Sequence, residues 1–239
     1  MKLFHFHHIG QRKTQEDDLY VDPKGRLFIV CDGVGGREYG EKASALVIEK
    51  LVNKLEDYRP QLGIESLNQM IRSLDQDFSD YVSENSQQDG MASTLVLLYL
   101  TDDQAIVSHI GDSRLYHIRS REDWWVTKDH SMVMELHEAG IIKSEKDMNE
   151  HPLRNRITKA VKITKQFQLL EPDTSKLENI QKGDLFFLCT DGVMESFESQ
   201  ELVDLLTEIS LPLEKRWEML ETNCNEFAKD NHTAILLEL

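Results

Sequence analysis

Leu27-Phe28-Ile29-Val30-Cys31 is an unbroken apolar run, and it stops on Asp32-Gly33-Val34-Gly35-Gly36. Apolar residues without alternation fit a short strand buried on both faces. Glycine reaches positive φ and lets a backbone approach a ligand closely, so Asp32 stands at a strand end on a turn suited to holding something. An isolated Asp-Gly pair is more often a hairpin turn. The pattern recurs, however. Leu185-Phe186-Phe187-Leu188-Cys189-Thr190-Asp191-Gly192 has the same form, and Asp112 and Asp230 border two further apolar strands.

Outward from this core, residues 19–21 and 27–31 flank the turn Asp22-Pro23-Lys24-Gly25 and read as a hairpin. Residues 40–55 carry Ala43, Leu46, Val47, Leu51 and Leu55 at helical spacing. A second helix follows, with Leu67, Met70, Ile71, Leu74, Phe78, Tyr81 and Val82 on its apolar stripe. The period then shortens to strands at 93–100, 105–110, 114–118 and 124–126, whose tight turns require antiparallel pairing. A short helix is expected at 132–139, strands at 167–170 and 185–189, helices at 200–209 and 213–229, and a last strand at 233–239. Strands, two helices, strands, two helices, strand implies antiparallel sheets with helices packed outside.

The 239 residues suit one domain over 1–239, with the charged, mixed stretch 140–165 as an inserted, partly mobile segment. No apolar run is long enough to span a bilayer, and the start MKLFHFHHIGQRK lacks a signal-peptide apolar region. A net charge of -16 argues against nucleic acid, which needs a basic footprint. Cys31, Cys189 and Cys224 show no CxxC spacing and read as core residues of a reducing compartment, which points to the cytoplasm. His5, His7 and His8 read as strand residues rather than as a metal site.

If Asp32, Asp112, Asp191 and Asp230 converge at one sheet edge, each ionised pair at about 5 Å costs ~3 kcal/mol in an effective dielectric near ~20. Six such pairs approach ~20 kcal/mol, against a typical domain stability of roughly 5–15 kcal/mol. Such a cluster must bind cations or stay protonated. All-oxygen ligands suit Mg²⁺ or Mn²⁺ better than Zn²⁺, and two such ions can activate water and clamp a phosphoryl group. Spacing alone equally permits four unrelated turn aspartates.

The residue strings decide between these readings. Arg12-Lys13-Thr14-Gln15-Glu16-Asp17, Asp32-Gly33-Val34-Gly35-Gly36 with Gly40-Glu41 and Ala43-Ser44, and Met91-Ala92-Ser93-Thr94-Leu95 come first. Gly111-Asp112-Ser113-Arg114-Leu115-Tyr116, Thr127-Lys128-Asp129-His130-Ser131 and Ile157-Thr158-Lys159-Ala160-Val161 follow. Cys189-Thr190-Asp191-Gly192 and Asp230-Asn231-His232-Thr233 complete the series. In this order they resemble the boxes of the metal-dependent protein phosphatases of type 2C, in their compact bacterial form.

The resemblance implies an α+β fold, a four-layer α/β/β/α sandwich of two antiparallel sheets flanked by helices. It implies Mn²⁺- or Mg²⁺-dependent hydrolysis of phosphoserine and phosphothreonine by a metal-activated water. Asp32 would bridge two ions, one of them completed by the Gly33 carbonyl. Asp191 and Asp230 would hold the other ion, and Asp17 and Glu16 would stand near the pair. Asp112 would help to hold a third ion, with Glu195 as its acidic helper, and Arg12 would grip the substrate phosphate. Catalysis would thus rest on Arg12, Asp32 and Asp191. Arg114 and Asp129 would be buried partners that order loops, and 131–165 would be a flap over the cleft. Phosphoprotein substrates, a cognate serine/threonine kinase, a monomeric state and no membrane or nucleic-acid partner follow from the same resemblance. The alternative is a catalytically silent phosphoprotein-binding or scaffold module of the same fold.

Several positions depart from the family pattern. Gln15 replaces Asn, and Ala92 and Lys162 replace small or glycine residues at loop corners. Val34 stands where some members have a His proposed to protonate the leaving group.

Overall fold

The two unbroken apolar runs are strands with every apolar residue buried. The computed structural model describes residues 1–34, 39–58 and 62–239, the side chains of 56–58 excepted, so Gly35 and Gly36 lie outside the described residues. In chain order the strands are β1 (Lys2–His8), β2 (Asp17–Val21), β3 (Leu27–Asp32), β4 (Met91–Ser93), β5 (Leu95–Leu100), β6 (Gln104–Ile110), β7 (Arg114–Ile118), β8 (Trp124–Val126), β9 (Val161–Ile163), β10 (Asp173–Glu178), β11 (Leu185–Cys189) and β12 (His232–Glu238). The helices are α1 (Gly40–Tyr58), α2 (Ile64–Glu84), α3 (Met132–Glu138), α4 (Glu145–Glu150), α5 (Asp191–Met194), α6 (Ser199–Leu206) and α7 (Leu213–Phe227).

The described residues group into two compact units. One comprises Met1–Gln15, Asp112–Lys159 and Gln181–Leu239, the other Glu16–Gly111 and Ala160–Ile180. The first contains the antiparallel sheet β1-β12-β11-β7-β8. Its core joins Phe187, Cys189 and Leu236 of the sheet to Leu202, Leu206, Trp217 and Leu220 of α6 and α7. The second contains the antiparallel sheet β10-β6-β5-β3-β2 and the small pair β4-β9. Here Leu27, Ile29 and Cys31 of β3 pack with the apolar stripes of α1 and α2. The two stripes form as their spacing predicts: Leu67, Met70, Ile71, Leu74 and Phe78 are wholly buried, each stabilising by about 1.5–3 kcal/mol. Among the described residues no helix is long and apolar enough to cross a membrane.

Three local expectations fail, for identifiable reasons. The strand expected at 93–100 is broken at Thr94, whose N–H donates to the Asp32 carbonyl at 2.8 Å and whose Oγ1 accepts from Asp32 N at 2.9 Å. No strand forms at 167–170, where Phe167 is 82% and Leu169 60% exposed. The edge strand is instead β10, with the polar sequence Asp-Thr-Ser-Lys-Leu-Glu, docked on β6 through Thr174 Oγ1 and Ser108 Oγ at 2.9 Å. The stretch 140–165, read as charged and mixed, contains α4 and β9, and its Ile142 and Met148 share a small core with Val133 of α3, the helix expected at 132–139.

Candidate metal centre

In the unit built on β11 and β12, three predicted aspartates meet. Asp112 precedes β7, Asp191 opens α5 directly after β11, and Asp230 precedes β12. Adjacent antiparallel strands bring such ends together, and all three line one cavity of about 430 Å³ with Glu195. Gly192 must be glycine here, since a Cβ would come within 2.0 Å of the Asn231 carbonyl oxygen. This close approach sets the Asp191 turn against the Asp230–Asn231 backbone.

Asp112 is nearly buried, and burial first, then the charges of Asp191 and Asp129, push its carboxyl well above the ordinary 3.8. Buried carboxylates crowded in this way are stabilised by a cation. The donors are all oxygen, so the group fits a hard divalent ion such as Mn²⁺ or Mg²⁺.

Asp230 is fixed on several sides. Its Oδ1 accepts from Asn231 N at 2.8 Å, and its Oδ2 is paired with Arg12. Glu195 Oε2 accepts from the backbone N–H groups of Lys229 at 2.6 Å and Asp230 at 3.1 Å. Glu195, expected as a helper ligand, is seen to hold the backbone that carries Asp230. Asn231 Nδ2 donates to the carbonyls of Ile9 at 2.8 Å and Thr14 at 3.0 Å, which pins the loop that bears Arg12. No local signal could reveal that role, because the partners lie more than 200 residues away along the chain.

Arg114 and Asp129 form the buried pair expected of them, with Nε to Oδ1 at 2.8 Å and Nη2 to Oδ2 at 2.7 Å. Burial works against the Arg114 charge, but Asp129 outweighs it and keeps the guanidinium firmly protonated. Among the described residues, Ser131, whose Oγ accepts from Met134 N at 3.3 Å at the start of α3, is the one hydroxyl-bearing residue lining the cavity, and no Cys or His lines it.

In the other unit, Asp17 lies directly opposite Asp32 across the β2–β3 pair. Opposed carboxylates repel, so this position too suits a cation. The Asp32 backbone is locked by Thr94, and its carbonyl also accepts from Ser93 Oγ at 3.0 Å. Gly33 donates to the Glu16 carbonyl at 2.9 Å, and a Cβ there would meet the Gly40 oxygen at 2.2 Å. Ser44 Oγ also donates to the Glu16 carbonyl, at 2.6 Å, so the start of α1 ties down the chain entering Asp17.

Comparison with known proteins gives concordant results. The family profile described as protein phosphatase 2C matches residues 6–226. Protein phosphatase PhpP of Streptococcus pneumoniae is 32% identical over 247 residues, covering 97% of this chain and 94% of that one. The structure of serine/threonine phosphatase Stp1 from Staphylococcus aureus is similar with a TM-score of 0.85 and 27% identity, covering 100% of this chain and 94% of that one. The catalytic domain of the serine threonine protein phosphatase PstP, solved in complex with two manganese ions, has a TM-score of 0.80 and 25% identity, over 99% and 97% of the two chains. The fold class is therefore that expected: α+β, with two antiparallel sheets flanked by helices.

Proposed function

Since the chain belongs to the protein phosphatase 2C family, we propose that it is a Mn²⁺- or Mg²⁺-dependent phosphatase that hydrolyses phosphoserine and phosphothreonine in proteins. The observation that carries this reading is a cavity lined by Asp112, Asp191 and Asp230, with no Cys or His among its described lining residues. Ser131, the one hydroxyl-bearing residue among the described lining, is engaged as a helix cap, its Oγ accepting from Met134 N. The attacking group is then water.

Asp17, Asp32, the Gly33 carbonyl, Asp112, Asp191 and Asp230 would hold the ions, and among them Asp32 and Asp191 would serve catalysis directly. Bound there, the ions would supply an activated water and neutralise the phosphate charge. Arg12, on the loop pinned by Asn231, presents a guanidinium fork that matches phosphate oxygens. Val34 has no proton to give, so the departing serine or threonine oxygen takes its proton from water or from another group. Residues 131–165 form a flap that contributes to substrate choice. The protein works as a monomer in the cytoplasm opposite a serine/threonine kinase, and its three cysteines are buried free thiols.

The test uses purified protein with p-nitrophenyl phosphate and a phosphothreonine peptide. Turnover with Mn²⁺ and its loss in EDTA are expected. Full activity in chelator would refute the mechanism, and tight phosphopeptide binding without turnover at any Mn²⁺ concentration would favour a silent binding module instead.

A further inference from the structure

We propose that Glu145 is a positioning residue, a latch that fastens the 131–156 segment so that it can hold peptide substrate. This inference rests on the phosphatase reading above. Glu145 opens α4, and Ser144 caps that helix, with Oγ accepting from Asp147 N at 3.1 Å. Its carboxylate reaches away from the segment. Oε1 accepts from Arg114 Nη1 at 3.2 Å and Ser199 Oγ at 2.8 Å, and Oε2 accepts from Ser199 N at 3.0 Å. Both carboxylate oxygens are thus held by groups outside the segment, one of them a buried cation and another the first backbone N–H of α6.

The rest of the segment is built to move as a piece. It has its own small apolar core, Val133, Ile142 and Met148, distinct from the core beneath β11 and β12. Its two ends are joined at one place, where Met132 N donates to the Arg156 carbonyl at 2.8 Å and Thr158 N to the His130 carbonyl at 2.7 Å. A body hinged at one end and internally packed needs a fastening at the other, and Glu145 supplies it. The same segment contributes Asn149, Arg154 and Asn155 to the wall of the cavity that holds Asp112, Asp191 and Asp230. The latch therefore sets where those three polar side chains stand for a peptide whose phosphate lies among the carboxylates. Nothing in the residue spacing marks Glu145, because its partners come from β7 and α6.

The experiment compares Glu145→Ala, Glu145→Gln and Ser199→Ala with the unaltered chain by hydrogen exchange in EDTA and by kinetics with Mn²⁺. In Glu145→Ala, amides of 141–154 should exchange at least roughly tenfold faster, because all three carboxylate contacts are lost together, while β11 and β12 amides keep their protection. The KM for a phosphothreonine peptide should rise about five- to tenfold with kcat changed less than about twofold, the pattern of lost ground-state binding. Glu145→Gln, which still accepts from Ser199, should recover part of both effects, and Ser199→Ala should show a weaker form of them. Unchanged exchange in 141–154 overturns the latch. Equal acceleration throughout the chain also overturns it, because that is global destabilisation. Local acceleration with an unaltered KM overturns the positioning role. If Glu145→Ala does not fold, Glu145→Gln and Ser199→Ala decide by the same criteria. A chain that lacks phosphatase activity altogether refutes the function proposed above, while the exchange measurement still decides the latch.

Discussion

Removing Asp129 should cost the protein heavily even though Asp129 is not proposed to touch a metal ion. Its carboxylate meets Arg114 through two contacts, 2.8 and 2.7 Å long, and the side chains are only 8% and 11% exposed. Asp129→Ala leaves a buried guanidinium without its main counter-charge, and breaking such a pair costs about 3–5 kcal/mol. Glu145 Oε1 at 3.2 Å and Tyr116 Oη at 3.2 Å remain beside the cation, which favours the lower end, near ~3 kcal/mol. For a chain of this length 1 kcal/mol shifts the melting temperature by roughly 2–4 °C, so a fall of about 6–12 °C is expected. Scanning calorimetry in chelator isolates the effect from metal binding. The combined change Arg114→Met with Asp129→Leu should melt above Asp129→Ala, since no guanidinium is then left buried without its main counter-charge. A fall below about 2 °C would mean that the pair contributes no more than an exposed ion pair, and the reasoning would fail.

Three other outcomes are expected. Gly192→Ala should displace the Asp230–Asn231 backbone, because the new Cβ would lie 2.0 Å from the Asn231 oxygen; calorimetric Mn²⁺ titration should show weakened binding, and wild-type affinity would contradict the close-packing account. The metal-free protein should lose stability as pH rises from about 3.8 upward, because the raised Asp112 pKa makes the native state bind more protons than the unfolded chain across that window. Urea midpoints should register this decline, and Asp112→Asn should flatten it; an identical slope in the variant would remove Asp112 as its source. Glu195→Ala strips one acceptor from the N–H groups of Lys229 and Asp230, so half-maximal activity should require about tenfold more Mn²⁺, with full rate restored at saturation. An unaltered Mn²⁺ requirement would show that Glu195 has no hold on Asp230.

The sequence made the buried strands and amphipathic helices legible because each carries its own periodicity. The run 27–31 and the stripe from Leu67 to Val82 are decided by residues a few places apart. β10 escaped because an edge strand with an exposed polar face has no such signature, and the isolated apolar cluster at 167–170 stood nearby as a decoy. The break at Thr94 escaped because its cause is a bond to Asp32, 62 residues away. The site divides in the same way. Asp32, Asp112, Asp191 and Asp230 announce themselves at strand ends, whereas Asn231 and Glu145 act through carbonyls and side chains that only the folded chain brings near.

The pairing of β1 with β12 bears on biosynthesis. β1 is synthesised before the strands it shares a sheet with, yet among the described residues its neighbour in that sheet is β12, with Lys2 opposite Glu238 and His8 opposite His232. β12 also separates β1 from β11. β1, with the Arg12 loop behind it, must therefore wait for this partner until β12 has been translated. The strands of the other sheet, by contrast, are all synthesised by Glu178. One half of the protein can fold during elongation while the other depends on a late, long-range closure, the kind of contact that slows folding most. Translation arrested before β12 would leave the β1 edge exposed, and with it a surface open to chaperones or to misdirected strand pairing.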